Sequence, residues 1–366
     1  MIRYIKKAIP LSVLATSIIA SAALADSFTL RVGSGHPSKA TAYVGNMEKV
    51  LVPNIKKRVA AETNHKVRII EAYAGKIAKV HETLEAVEKG LLDIGSYCVC
   101  FETAKLLPWN FDYFVPFTTS NLITSVAVKN KIIKKFPYLT KMLEDKYNQK
   151  FIALQGFDDY GLGTVKQWSK ANELKGVKVI AAGPNLPWVS LFGSIPVTST
   201  LPTMYNDLAT GVAKGVIIFP SAHAGGFKFF EQAPYWKVIG FGAMAQTITT
   251  INLDTLKKLP PEVAKIIMEE AQNYERAAVK DGQQRYQKGL TDLVKLGKKK
   301  GINDAVTYLP IDQQKIWAET IQDWPNTRAQ DISKDYDIDG AALMNAYIDE
   351  MEKTGHKFPV RYKIGG

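Results

Sequence analysis

Twice within its first hundred residues the chain passes from a short alternating apolar run, through a glycine-broken loop, into apolar residues at helical spacing. Phe28 to Val32 alternates as a strand does, Gly33-Ser34-Gly35-His36-Pro37 interrupts it, and Val44, Met47, Leu51, Ile55 and Val59 then share one helical face. Val67 to Ala72, the loop Tyr73-Ala74-Gly75 and the face Val80, Leu84, Val87 and Leu91 repeat the pattern before a strand from Asp93 to Val99. Strands joined through helices lie parallel, so this pattern predicts an α/β layer with helices on the faces of a mainly parallel sheet.

A charged helical stretch, Lys129 to Lys150, precedes a second set of the same kind. Phe151 to Gly156 and Gly176 to Ala182 read as strands, and Leu186 to Phe192 leads to Ile195 to Thr198. Met204, Leu208 and Val212 mark a helix that runs into the apolar strand Val216 to Phe219. Trp236 to Gly240 and Thr247 to Asn252 are later strands placed to return to the first lobe. From Leu259-Pro260-Pro261-Glu262 to Gly301 the chain is helical for roughly 40 residues, up to about 60 Å at ~1.5 Å per residue. The expected division is residues 26–150 with about 237–258 as lobe 1 and 151–236 as lobe 2. Residues 259–300 then form a helix bridging the lobes, and 301–366 a helical extension around Trp317 and Trp324. A chain of 366 residues can fill two such cores.

Arg3, Lys6 and Lys7, the uncharged stretch Ala8 to Ala23, and Ala23-Leu24-Ala25 before Asp26 have the order of a secretory signal peptide cleaved after Ala25. The apolar run is short for a membrane span, so the expected location is the periplasm, with a retained N-terminal anchor the lesser alternative. The chain carries 47 basic against 35 acidic groups, net +12. The basic residues are interleaved with Glu and Asp along helical stretches, which makes solvated faces and no nucleic-acid surface. Cys98 and Cys100 stand two apart in a strand, with Cα atoms near the upper limit of disulfide reach. Buried small thiols are the expectation, a disulfide that needs a local distortion is the lesser alternative, and two cysteines are too few to hold a metal.

Signatures of chemistry fail on spacing. Gly33 to Lys39 lacks a phosphate loop's second glycine, since Ser38 stands there, and Gly161-Leu162-Gly163 meets Lys166 where a dinucleotide fingerprint needs its third glycine. No Gly-x-Ser-x-Gly or His-Glu-x-x-His occurs, and His36, His65, His81, His223 and His356 are scattered. No cofactor, no metal and no covalent catalysis are expected.

Several segments together resemble the solute-binding proteins of tripartite ATP-independent periplasmic (TRAP) transporters, of the dicarboxylate-binding-protein type. They are Glu85 to Ile94, Leu174 to Val179, Pro196-Val197, Tyr205-Asn206-Asp207-Leu208 with Gly211-Val212 and Gly215, Lys228 to Glu231, Ile251-Asn252 and Leu259 to Val263. The resemblance implies a two-lobed periplasmic binding protein fold with hinge strands and a long bridging helix. Such a protein closes over one small organic solute and hands it to the small and large membrane subunits of a permease. An exported enzyme with a two-lobed cleft and the ligand-binding subunit of a sensory system stay open as alternatives.

The departures from that pattern bear on the ligand. Where the family usually places an arginine that clamps a carboxylate, this chain has Ile180. A second arginine is missing near Gly161 to Thr164, and Val216 to Phe219 replaces a polar asparagine region. Ligands of open α/β sheets bind at the carboxyl ends of strands, here after Val32, Ala72, Val99, Gly156, Ala182 and Phe219. His36 there could donate to an anion or cap its loop, and Lys79, or Lys76, could stand in for the guanidinium or be solvated. Asp159 and Tyr160 could bind a polar group or make a turn. Asn185 could bond a ligand or cap a helix, and Trp188 could wall a ligand or pack the lobes. Phe219 and His223 complete the candidates, with simple core the other reading for Phe219. Without the arginine, the expected solute is an organic acid or neutral compound with an apolar or aromatic body.

Overall fold

The computed structural model of the chain describes residues 27–365, so the expected signal peptide lies outside the described residues. The strands are β1 (Ser27–Gly33), β2 (Lys66–Ala72), β3 (Ile94–Cys98), β4 (Gln149–Phe157), β5 (Gly161–Thr164) and β6 (Lys178–Ala181). They continue with β7 (Ile195–Thr198), β8 (Gly215–Ile218), β9 (Tyr235–Val238), β10 (Met244–Asn252) and β11 (Val306–Tyr308). They form two sheets, one in the order β2-β1-β3-β10-β4 and one in the order β11-β9-β5-β8-β6-β7. The anticipated βα units appear as parallel pairings of β1 with β2 and β3, and of β6 with β7 and β8. The helical face Val44, Met47, Leu51, Ile55 and Val59 is fully buried against the first sheet's core.

The sheets are more mixed than the sequence pattern suggests, and two strands change lobe. The run 151–156, expected in lobe 2, lies within β4 of the first sheet, where it pairs antiparallel with β10. Asn148, left-handed at φ 51°, caps the preceding helix and turns the chain straight into that strand. β9, expected to return to lobe 1, instead pairs antiparallel with β5 in the second sheet. Only β10 returns. The crossings between sheets are therefore Asp158 to Tyr160 and Ile239 to Ala243. In the latter Gly242, at φ 105°, packs so closely that a Cβ would lie 2.0 Å from Thr118 Oγ1.

The helix Pro261–Lys299 has proline in its first turn and runs along both lobes. It packs on β4 and on the helices around residues 42–62 and 122–135 of the first lobe, then on the segment Ala222–Gly226 and β11 of the second. The C-terminal extension is not purely helical, since β11 adds an edge to the second sheet through β9. Its helices Ile311–Thr320, Trp324–Asp335 and Gly340–Glu352 brace the lobes. Trp317 is fully buried and its Nε1 donates to the Trp188 carbonyl at 2.6 Å, while Trp324 meets the Phe114 ring edge-on at 5.4 Å.

Cys98 and Cys100 form a disulfide, against the expectation of two free thiols. β3 stops at Cys98 and the chain tightens into the turn Val99–Glu102, which draws the two Cα atoms to 5.1 Å. Among the described residues no helix is long and apolar enough to cross a membrane, and no group of three or more metal-ligating side chains is gathered.

Candidate solute cleft

Where the strand ends of the two sheets face one another, His36, Cys100, Phe101 and Phe157 form one wall, from the ends of β1, β3 and β4. Ala182, Leu201, Met204, Ile217, Ile218 and Phe219 form the other, and Tyr160 joins them from the crossing. The space between the walls is about 20 Å³, on the order of one water, so the two walls lie nearly in contact. No lysine, arginine, aspartate or glutamate lines it. Phe157 and Phe219 stack at 4.7 Å, and Tyr160 stands edge-on to Phe219 at 5.7 Å.

Of the hydrogen-bonding side chains in the lining, His36 and Tyr160, the Tyr160 hydroxyl is paired with Tyr113 and His36 keeps an unpartnered ring nitrogen. Its loop is threaded so tightly that a Cβ on Gly35 would lie 2.4 Å from the Val80 amide nitrogen. The imidazole is 1% exposed, meets the Phe101 ring edge-on, and its Nδ1 lies 2.6 Å from the Tyr43 hydroxyl. A phenol is the better acid of that pair, so we assign its proton to the hydrogen bond, Tyr43 donating to Nδ1. Nε2 then carries the remaining ring proton, and it has no partner. Burial, helped by nearby His81, holds the His36 pKa down at about 4, so the ring is an uncharged donor at neutral pH.

Asp159 sits at the hinge and not on the cleft wall. Its Oδ1 accepts from the Gly242 amide at 2.9 Å and its Oδ2 from the Tyr286 hydroxyl at 3.2 Å, so one carboxylate joins both crossings and the long helix. Asp158 beside it accepts from the Ser221 amide and hydroxyl in the second lobe. Burial raises Asp158 to about 7 and Asp159 to about 6. Tyr160 reaches the cleft and shares a 2.8 Å hydrogen bond with the Tyr113 hydroxyl.

The other candidates separate. Asn185 is fully buried after β6 without capping the following helix, and neither its Oδ1 nor its Nδ2 has a partner. Trp188 is fully buried between lobes, its Nε1 donating to the Tyr113 carbonyl at 2.8 Å, outside the cleft lining. Lys79 is solvent-exposed on its loop. His223 lies in the second lobe's core, where Gly163 leaves room for its ring and Ala233 O lies 2.8 Å from Nε2; burial lowers its pKa to about 3. Ile180 is fully buried in β6 and lies outside the cleft lining.

Residues missed at the sequence level include Tyr43, Phe101, Phe157 and Met204. Phe101 follows β3 and Phe157 ends β4, and the strand-end rule points to their neighbourhood. Tyr43 and Met204 sit on helices and carry no such signal.

A family model described as bacterial extracellular solute-binding protein, family 7, matches residues 45–323. A comparison with curated proteins finds no match. Solved structures share the fold at low identity. One is an extracytoplasmic solute receptor of Bordetella pertussis that binds pyroglutamic acid, 20% identical, with 87% of this chain and 99% of that chain covered at a TM-score of 0.71. A TRAP solute-binding protein from Rhodoferax ferrireducens, in complex with copurified benzoate, is 17% identical with 90% and 98% covered at 0.75. A third, from Sulfitobacter with bound β-D-galacturonate, is 16% identical with 87% and 99% covered at 0.71. With most of its length matched by the family model, the chain belongs to the family 7 bacterial extracellular solute-binding proteins.

Proposed function

We propose that the protein captures a small organic solute between its two sheets, closes by rotation about the crossings at 158–160 and 239–243, and delivers the solute unaltered to the paired membrane subunits of a TRAP permease. The observation that carries this reading is the cleft itself, with strand ends of both lobes around one buried, unpartnered imidazole nitrogen. Closure links capture to delivery because the membrane partner can distinguish the liganded form by the angle between lobes. Pyroglutamate, galacturonate and benzoate in the structural neighbours support a compact organic ligand. Export through a leader cleaved after Ala25 would place the mature chain in the periplasm, where it acts as a receptor and performs no catalysis.

The test uses residues 26–366 in thermal-shift assays against dicarboxylates, aromatic monocarboxylates, amides, sugar acids and neutral solutes. Ligand at about 1,000 times its Kd should add about 4 kcal/mol of stability and be recovered chemically unchanged. Consumption of a ligand would overturn the receptor reading.

A further inference from the structure

We infer that the cleft is built for an uncharged, compact solute with a flat apolar body and one hydrogen-bond acceptor, a carbonyl, met by His36 Nε2. The inference rests on the solute-binding reading above and names the class of solute. Three observations converge on it.

Beside the His36 ring and the Tyr160 hydroxyl, which is paired with Tyr113, the lining offers hydrocarbon, aromatic faces and the Cys100 sulfur, with no lysine or arginine among its residues. A carboxylate seated there would exchange water for a site without countercharge, whereas an amide or ketone loses far less on entering. The strand position where an arginine would supply that countercharge carries Ile180, fully buried.

The directional group is a donor without charge. With Tyr43 donating to Nδ1, His36 presents Nε2–H, which is buried and unpartnered and satisfied by a carbonyl oxygen. Asn185, fully buried just past the end of β6 and outside the cleft lining, is a further uncharged side chain whose amide atoms have no partner.

The shape of the walls selects a flat body. Phe157 of the first lobe and Phe219 of the second lie 12° from parallel, Tyr160 stands across their edges, and Leu201, Met204, Ile217 and Ile218 complete the second wall. A planar ring finds a face and an edge here that an extended, hydroxyl-rich acid would not use.

The test pairs benzamide with benzoate, which share ring and size and differ in charge, and adds acetophenone as a second neutral acceptor. Titration calorimetry on residues 26–366 at pH 7.5 should show benzamide or acetophenone binding at least about tenfold more tightly than benzoate. His36→Leu should lower the affinity for the neutral compounds about tenfold, and His36→Gln, which restores an N–H donor, should recover part of it; melting curves confirm that both variants are folded. Benzoate binding as tightly as benzamide, or more tightly, overturns the inference and leaves the receptor reading standing. If none of the three binds, the inference fails for aromatic carbonyl compounds, and mass spectrometry of solute released from the denatured protein tests the receptor reading separately. A released carboxylic acid upholds the receptor reading alone. A released neutral carbonyl compound upholds both, and the absence of any ligand across the panel and in the released fraction counts against both.

Discussion

Phe157 and Phe219 lie face to face with ring centroids 4.7 Å apart, although one ends a strand of the first sheet and the other follows a strand of the second. The stack is thus a contact between lobes on the cleft wall, made only when the lobes are together. Offset aromatic pairs add about 0.5–1.5 kcal/mol beyond the area they bury, enough to bias closure.

Phe219→Ala should therefore favour the open form and weaken solute binding about tenfold, with a larger radius of gyration in solution scattering of the unliganded protein. An unchanged affinity would place the solute away from these rings.

Lys129 and Asp112 form a buried pair, with Lys129 Nζ donating to Asp112 Oδ1 at 2.8 Å and to the Trp109 carbonyl at 2.9 Å, both side chains without exposure. Burial pushes the lysine down and the aspartate up, and their mutual attraction opposes both shifts. Lys129→Met strands the carboxylate and should cost about 3–5 kcal/mol in chemical denaturation. Adding Asp112→Leu should recover most of that loss, because the desolvated charge goes with it.

Asp159 has a raised pKa of about 6, so the folded state holds its proton where the unfolded chain has lost it. Its protonated form contributes stability that is present below about pH 4 and lost as pH rises through about 6. The buried imidazoles of His36 and His223, lowered to about 4 and 3, run the other way, so stability from them grows with pH up to about 6.5. Whole-protein stability will blur the two. The comparison of wild type with Asp159→Asn separates them, and from pH 4 to 7 the variant should gain about 2–3 kcal/mol relative to wild type. A pH-independent difference would show that Asp159 titrates as an exposed carboxyl.

The Cys98–Cys100 bond closes a very short loop, so chain entropy gives it only about 1–2 kcal/mol of global stabilisation. Its local effect is larger, since it fixes the turn that sets Cys100 and Phe101 in the cleft wall. The double substitution Cys98→Ser and Cys100→Ser should shift the melting temperature by a few degrees and weaken solute binding more than that shift implies. Alkylation of the denatured, unreduced wild type should label neither cysteine.

Much of the architecture could be read from the order of strands and helices, because parallel βα units and a proline-led helix of this length declare themselves locally. The allocation of β4 and β9 to sheets could not, since pairing with β10 and β5 is a contact between residues distant in sequence. The same limit applied at the site. The absence of an arginine at Ile180 was visible, and so was the loop carrying His36. That Tyr43 fixes the tautomer of that histidine depends on a helix packing back over the loop. His223 fell to the core because Gly163 opens a space beside it, which no motif around the histidine announces. The disulfide was misjudged because the i, i+2 argument assumed a strand that in fact ends at its first cysteine.

β10 lies between β3 and β4, and it begins at Met244, two-thirds of the way along the chain. A ribosome must therefore deliver all of the second lobe's central strands before the first lobe's sheet can close, and until then β3 and β4 are unjoined edges. No stretch of the chain that stops short of β10 can mature as a finished lobe. The first lobe, though it holds the chain's first strand, is therefore the later of the two to be completed in its central strands.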